Sequence, residues 1–129
     1  MDGVDPPVAD PATIDGADVS RVRAAIELER SRTIDQIASL ERSLAGIVEA
    51  AELTSTDDEH DPEGATIAYE RAQVSALLRQ ARDDLVALDE SLGRVERHTI
   101  GTCTVCGGPI AVARLLALPG AGSCIRCAR

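Results

Sequence analysis

The 129-residue chain contains no Trp, no Phe and a single Tyr, Tyr69. Aromatic side chains each bury a large area and carry much of a compact core. Without them the apolar content is Ala, Leu, Ile and Val, which suits a long amphipathic helix pair better than a sandwich or barrel. Lysine is absent too: all 13 basic residues are Arg, set against 22 acidic residues, for a net charge of −9. That deficit argues against bulk binding to DNA or RNA, because affinity for phosphates comes from Lys and Arg; it leaves open a partner with basic grooves. No apolar run reaches membrane-spanning length, so no membrane association is expected. The opening MDGVDPPVAD lacks the basic and apolar regions of a signal peptide. The expected compartment is the cytoplasm, where thiols stay reduced and structural disulfides are rare. No nucleophile–base constellation, Gly-rich phosphate loop or H-E-x-x-H motif occurs, so no enzymatic activity is expected.

What is present is organised in three stretches. Residues 1–17 hold Pro6, Pro7, Pro11 and four Asp without apolar periodicity, and are expected to form a disordered acidic tail. From Asp18 to about Leu53 one heptad series reads Val19, Ile26, Thr33, Leu40, Ile47 and a second reads Arg23, Arg30, Ile37, Leu44, Ala51. From about Pro62 to Arg97 the series are Ile67, Val74, Ala81, Leu88, Val95 and Arg71, Leu78, Leu85, Leu92. Alternating steps of three and four mark a coiled-coil seam. The spacing predicts an antiparallel helical hairpin over 18–98, each arm about 50 Å long at about 1.5 Å per residue. Ile47 should face Val74, Leu40 should face Ala81, and Ile37 should face Leu85. Arg23 and Arg30 interrupt the seam.

The connection at 54–65 is expected to be an acidic tip. Asp57, Asp58, Glu59, Asp61 and Glu63 crowd into it. Asp61 followed by Pro62 reads as an N-cap and first-turn proline, and Glu63 suits the positive end of a helix. Helix termination does not account for Asp57, Asp58 and Glu59.

The third stretch, 99–129, carries all four cysteines as Cys103-Thr-Val-Cys106, a gap of 17 residues, and Cys124-Ile-Arg-Cys127. Two C-x-x-C pairs at this separation point to one structural Zn²⁺ held by four thiolates. Gly107, Gly108 and Pro109 let the backbone curl around the metal. So short a segment cannot bury enough surface to fold alone, so the metal supplies the missing stability. Four sulfurs leave no position for a reactive water. His98 stands five residues before Cys103 and is expected to act as a cation at a helix end, and His60 to be solvated.

The finger carries a specific resemblance. Gly101-Thr-Cys103-x-x-Cys106-Gly107, Ile110, Arg114-Leu115-x-Ala117-x-Pro119-x-Ala121 and Cys124-Ile125-x-Cys127 resemble the pattern of the DksA/TraR family of bacterial transcription regulators. The resemblance implies a mainly α protein, a long antiparallel helical hairpin followed by a small four-cysteine zinc finger. It also implies direct binding to RNA polymerase without sequence-specific DNA contact. In that family the coiled coil enters the secondary channel and its tip approaches the catalytic centre. The implied contact residues are Asp57, Asp58, Asp61, Glu63 and Ala65. The tip departs from the family's D-x-x-D-x-A. Counting from the cysteines sets Ala65 on the Ala, Glu63 on the second Asp and His60 on the first. A shifted reading gives Asp58-x-x-Asp61 with Glu63 in place of the Ala. Several members act with ppGpp; the sequence here runs only two residues past Cys127, without the helix that many members carry there, so ppGpp binding is not predicted and its involvement stays open.

Two other functions compete. A zinc-stabilised coiled-coil adaptor for a different protein partner could use Arg23 and Arg30 as contacts. A nucleic-acid-binding module could use Arg114, Arg126 and Arg129, against the net charge and without stacking aromatics. The chain is expected to be a monomer.

Overall fold

A computed structural model describes residues 14–53 and 62–128. Its elements are α1 (Gly16–Leu53), α2 (Pro62–Glu96) and a short α3 (Val112–Ala117). Two long helices and no strand among the described residues give the mainly α class that the heptads predict. Residues 1–13 of the expected tail (1–17), the tip residues Asp57, Asp58 and Asp61, His60 and Arg129 lie outside the described residues, while Gly16 and Ala17 at the end of that stretch belong to α1.

Helix α1 begins two residues earlier than the periodicity suggests, because a cap sits upstream of it. The Asp15 carboxylate accepts the Asp18 N–H at 2.8 Å, satisfying one of the donors that a helix start leaves free. Helix α2 opens at Pro62, where a fixed φ and a missing N–H carry no penalty. It closes at Glu96 in a Schellman turn: His98 N–H bonds to the Val95 carbonyl at 3.2 Å and Thr99 N–H to the Arg94 carbonyl at 2.8 Å. His98 occupies the left-handed position of that turn, with φ 59. Among the described residues no helix is long and apolar enough to cross a membrane.

The chain divides into two compact units. Residues 31–85 form one of them. Within it Thr33, Leu78 and Ala81 are buried, and Ile37, Leu40, Leu44, Ile47, Val74 and Leu85 are half-buried. These are the residues the seam selects. Arg82 reaches across to Glu41 at 3.2 Å.

The other unit joins the start of α1, the end of α2 and the finger. Its core is Val22, Ile26, Leu88, Val95, Ile100, Cys103, Ile110, Leu115 and Cys124. Ile14 and Val19 pack against it from the chain's beginning, and Leu92, Val112 and Leu116 from the other elements. Val22 is fully buried although it lies outside both heptad series, because the finger packs on the helices as a third element. The two interruptions of the seam are explained here as well. Arg23 bonds to Glu96 at 2.7 Å and Arg30 to Asp89 at 2.6 Å. Together with Arg82 and Glu41, each pair falls within two positions of the register the sequence predicts. Both arginines thus have acidic partners on the facing helix, which accounts for their place in the seam.

Candidate metal centre

The first knuckle is built by a short loop with a glycine at its sharpest point. Residue 102 bridges to Pro109, Cys103 N–H bonds to the Gly108 carbonyl at 2.8 Å, and Ile110 N–H bonds to the Gly101 carbonyl at 2.8 Å. Gly107 closes the turn with φ 74, a conformation in which a Cβ is strained, and its N–H returns to the Cys103 carbonyl at 3.0 Å. Both sulfurs of this loop therefore point to one side. The second knuckle is tighter: the N–H groups of Cys127 and Ala128 both bond to the Cys124 carbonyl, at 3.1 and 3.0 Å.

The Sγ atoms of Cys103, Cys106, Cys124 and Cys127 all lie within 4.8 Å of one another. Cys106 Sγ and Cys124 Sγ, one from each knuckle, are 3.7 Å apart. A tetrahedron with metal–sulfur bonds of about 2.3 Å has edges of about 3.8 Å, so the cysteines stand where one Zn²⁺ needs them. Cys103 and Cys124 are buried in the core, whereas Cys106 is exposed.

Backbone N–H groups prepare the sulfurs for negative charge. Val105 N–H and Cys124 N–H approach Cys103 Sγ at 3.4 and 3.2 Å, and Gly108 N–H approaches Cys106 Sγ at 3.4 Å. The N–H groups of Cys106 and Cys124 bring the Cys103 thiol down to about 6. For Cys124 burial pushes the thiol up, but hydrogen bonds from the Cys127 backbone and other neighbours outweigh it and the net shift is downward. Cys127, hydrogen-bonded to the side chains of Cys124 and Cys106, is pushed up to about 12. Zn²⁺ would take all four sulfurs as thiolates, so its binding displaces whatever protons they carry.

The metal-ligand cluster among the described residues consists of these four cysteines alone. His98, five residues upstream, is exposed and ends the helix. Of the expected tip, Glu63 and Ala65 are described, and both are exposed at the start of α2.

Sequence reasoning missed three supporting features. Helix α3 is one, six residues with Leu115 fully buried. A pair of polar residues at the end of α2 is another: Ser91 is fully buried and Arg94 is only 8% exposed. Burial lowers the Arg94 pKa from the usual arginine value; Glu90 opposes that shift and Arg97 adds to it. Arg94 Nη2 bonds to Ser91 Oγ at 2.7 Å and reaches the Ala121 carbonyl at 3.3 Å, while its Nε has no partner. The third is the role of Arg114, whose Nε donates to the Ser123 carbonyl at 3.0 Å. That bond commits one of the three arginines considered for nucleic acid to holding the finger together.

Comparison with known proteins follows the same lines. Residues 98–129 match the family model described as the prokaryotic dksA/traR C4-type zinc finger. A solved structure of the transcription factor DksA2 from Pseudomonas aeruginosa is similar along most of the length, with a TM-score of 0.72 and 30% identity, covering 91% of this chain and 84% of that one. No curated protein matches.

Proposed function

The chain belongs to the DksA/TraR family of C4-type zinc-finger proteins, and from that premise we propose that it regulates transcription by binding RNA polymerase directly. It is a transcription-factor-like zinc-finger protein; the polymerase contact is the step that the reading adds. The observation that carries it is the likeness to a transcription factor across both long helices as well as the finger. In this reading the helical hairpin enters the secondary channel, the regulator acts in the cytoplasm as a monomer, and no base-specific DNA contact and no catalytic step are involved. The four cysteines hold a structural Zn²⁺ that stabilises the unit built from the finger, the start of α1 and the end of α2.

The acidic connection between α1 and α2 is the working end. Asp57, Asp58, Asp61 and Glu63 offer carboxylates to basic channel residues or to a bound Mg²⁺, which prefers oxygen ligands, and Ala65 stands beside Glu63 at the start of α2. The exposure of Glu63 and Ala65 is compatible with such a contact.

The test is binding of the zinc-loaded chain to core polymerase in competition with a known secondary-channel binder. Competition is the expected result. Binding without competition would move the docking site, and absence of binding at micromolar concentration would overturn the reading in favour of a different protein partner. Replacing Asp57, Asp58 and Asp61 together with Asn should leave the fold intact and abolish the effect on transcription in vitro. Undiminished regulation would remove the tip from the mechanism.

A further inference from the structure

The segment that brings the second cysteine pair to the metal has no regular secondary structure of its own. After α3 the chain turns, with Ala121 N–H on the Leu118 carbonyl at 2.9 Å, and then runs irregularly into Cys124. Three consecutive carbonyls in that run are each held by a different part of the finger unit. The Ala121 carbonyl accepts from Arg94 on α2 at 3.3 Å. The Gly122 carbonyl accepts from Thr104 N–H, inside the first knuckle, at 2.8 Å. The Ser123 carbonyl accepts from Arg114 on α3 at 3.0 Å. The next backbone group, Cys124 N–H, points at Cys103 Sγ at 3.2 Å.

We propose that Arg94 and Arg114 are positioning residues of the metal centre, a two-arginine clamp on the Ala121 and Ser123 carbonyls that sets where Cys124 and Cys127 stand and so controls how firmly zinc is retained. This rests on the four-cysteine zinc reading and goes beyond it.

The cost of Arg94 favours a purpose of this kind. A guanidinium that is nearly all buried, lacks a bonded carboxylate and leaves its Nε unpartnered is an expensive way to fill space. An apolar side chain would fill that volume at lower cost and could not hold a carbonyl. The loop also fits the guanidinium closely: a Cβ on Gly122 would sit 3.4 Å from Arg94 Nη2. The bond from Thr104 and the approach of Cys124 N–H to Cys103 Sγ tie one knuckle to the other, but neither holds the Ala121 and Ser123 carbonyls, whose peptide planes keep freedom to rotate. Holds on the carbonyls either side remove that freedom. Four sulfurs must meet one ion at bond lengths fixed within a few tenths of an ångström, so a loosely held second knuckle weakens binding. Groups that orient metal ligands from outside typically change metal affinity by about 10–100-fold when removed.

The experiment uses the zinc-loaded full chain and the variants Arg94→Met, Arg94→Lys, Arg114→Met and Arg114→Lys, with Arg82→Met as a control far along the helices. Zinc content is measured first, then the rate of zinc release to the chromogenic chelator 4-(2-pyridylazo)resorcinol. Far-UV circular dichroism and the visible spectrum of the Co²⁺-substituted protein are recorded alongside. Both Met variants should release zinc about tenfold faster or more, with altered Co²⁺ ligand-field bands and an unchanged helical signal. The Lys variants, which keep a donor, should recover part of the loss, and Arg82→Met should behave as wild type. Wild-type release and wild-type Co²⁺ spectra in both Met variants would overturn the clamp. If Arg94→Met does not fold, the Arg114 pair decides by the same criteria. A wild-type chain that holds no zinc would overturn the metal reading itself, an outcome distinct from failure of the clamp.

Discussion

His98 adopts a backbone conformation that costs an L-residue about 1–2 kcal/mol and glycine almost nothing. It does so because the Schellman turn after Glu96 needs a left-handed residue there. The side chain is exposed and stands outside the metal cluster. His98→Gly is therefore expected to raise stability by up to about 1 kcal/mol in urea unfolding, the relief of strain being partly offset by a more flexible unfolded chain. A loss of stability would mean that the imidazole contributes something to the helix end beyond its backbone. The position of His98 at a helix terminus is legible in the sequence, where the heptads stop. Its left-handed backbone is not, because the signal for that position is usually a glycine.

The thiols give a second prediction at this scale. Cys103 is lowered from the ordinary 9.0 to about 6, so its contribution to the stability of the metal-free fold is fully present above about 9 and is lost as pH falls through about 6. Cys127 is raised to about 12, so it keeps its proton until zinc displaces it. Zinc uptake at pH 7.5 should then release fewer than four protons, and the number should rise by about one as the pH is taken below 6. Calorimetric zinc titrations in buffers of different ionisation enthalpy count these protons directly. Release of close to four at pH 7.5 would mean that the hydrogen bonds to Cys103 Sγ form only once the metal has folded the finger.

At the scale of the helices, register is set by two signals that agree. The apolar seam selects Ile26, Leu78, Ala81, Leu88 and Val95, all buried. The ion pairs Arg23–Glu96, Arg30–Asp89 and Arg82–Glu41 span the same interface. Their side chains are 40–69% exposed, so each pair is worth no more than about 1 kcal/mol. Specificity is the larger effect, since a slip of one turn would bring Arg30 opposite a different residue. Arg30→Asp should destabilise the hairpin by about 1 kcal/mol, and adding Asp89→Arg should restore most of the loss. A double-mutant cycle in urea measures the coupling; zero coupling would leave the apolar seam as the sole determinant of register. The sequence reading anticipates the apolar seam and treats Arg23 and Arg30 as interruptions, because a heptad count on one helix does not display the acid on the other. It overlooks Val22, Ser91 and Arg94 for a related reason: a two-helix seam leaves those positions outside, and only a third packed element buries them.

For the whole molecule the metal centre is part of a core as well as a local site. Cys103 and Cys124 pack with Val22 and Ile26 from α1 and with Leu88 and Val95 from α2. The cysteine spacing makes the ligand set legible from sequence. Its connection to the helix ends is less so, since it runs through Ile100, Ile110 and the six-residue α3, segments too short to show a period. Thr33, Leu78 and Ala81, buried in the unit spanning residues 31–85, belong to no part of that core. Removing zinc should therefore act unevenly. When a strong chelator strips the metal, amide hydrogen exchange should quicken throughout residues 98–128, and also in 16–30 and 86–96, where the helix ends lose the packing of the finger. Exchange in 31–53 and 62–85 should change much less, because those amides are protected by helix bonds and a seam that involve no cysteine. Uniform quickening along both helices would mean that the two units unfold as one cooperative body. No change in 16–30 would mean that the finger's contacts with Val22 and Ile26 contribute little to holding α1.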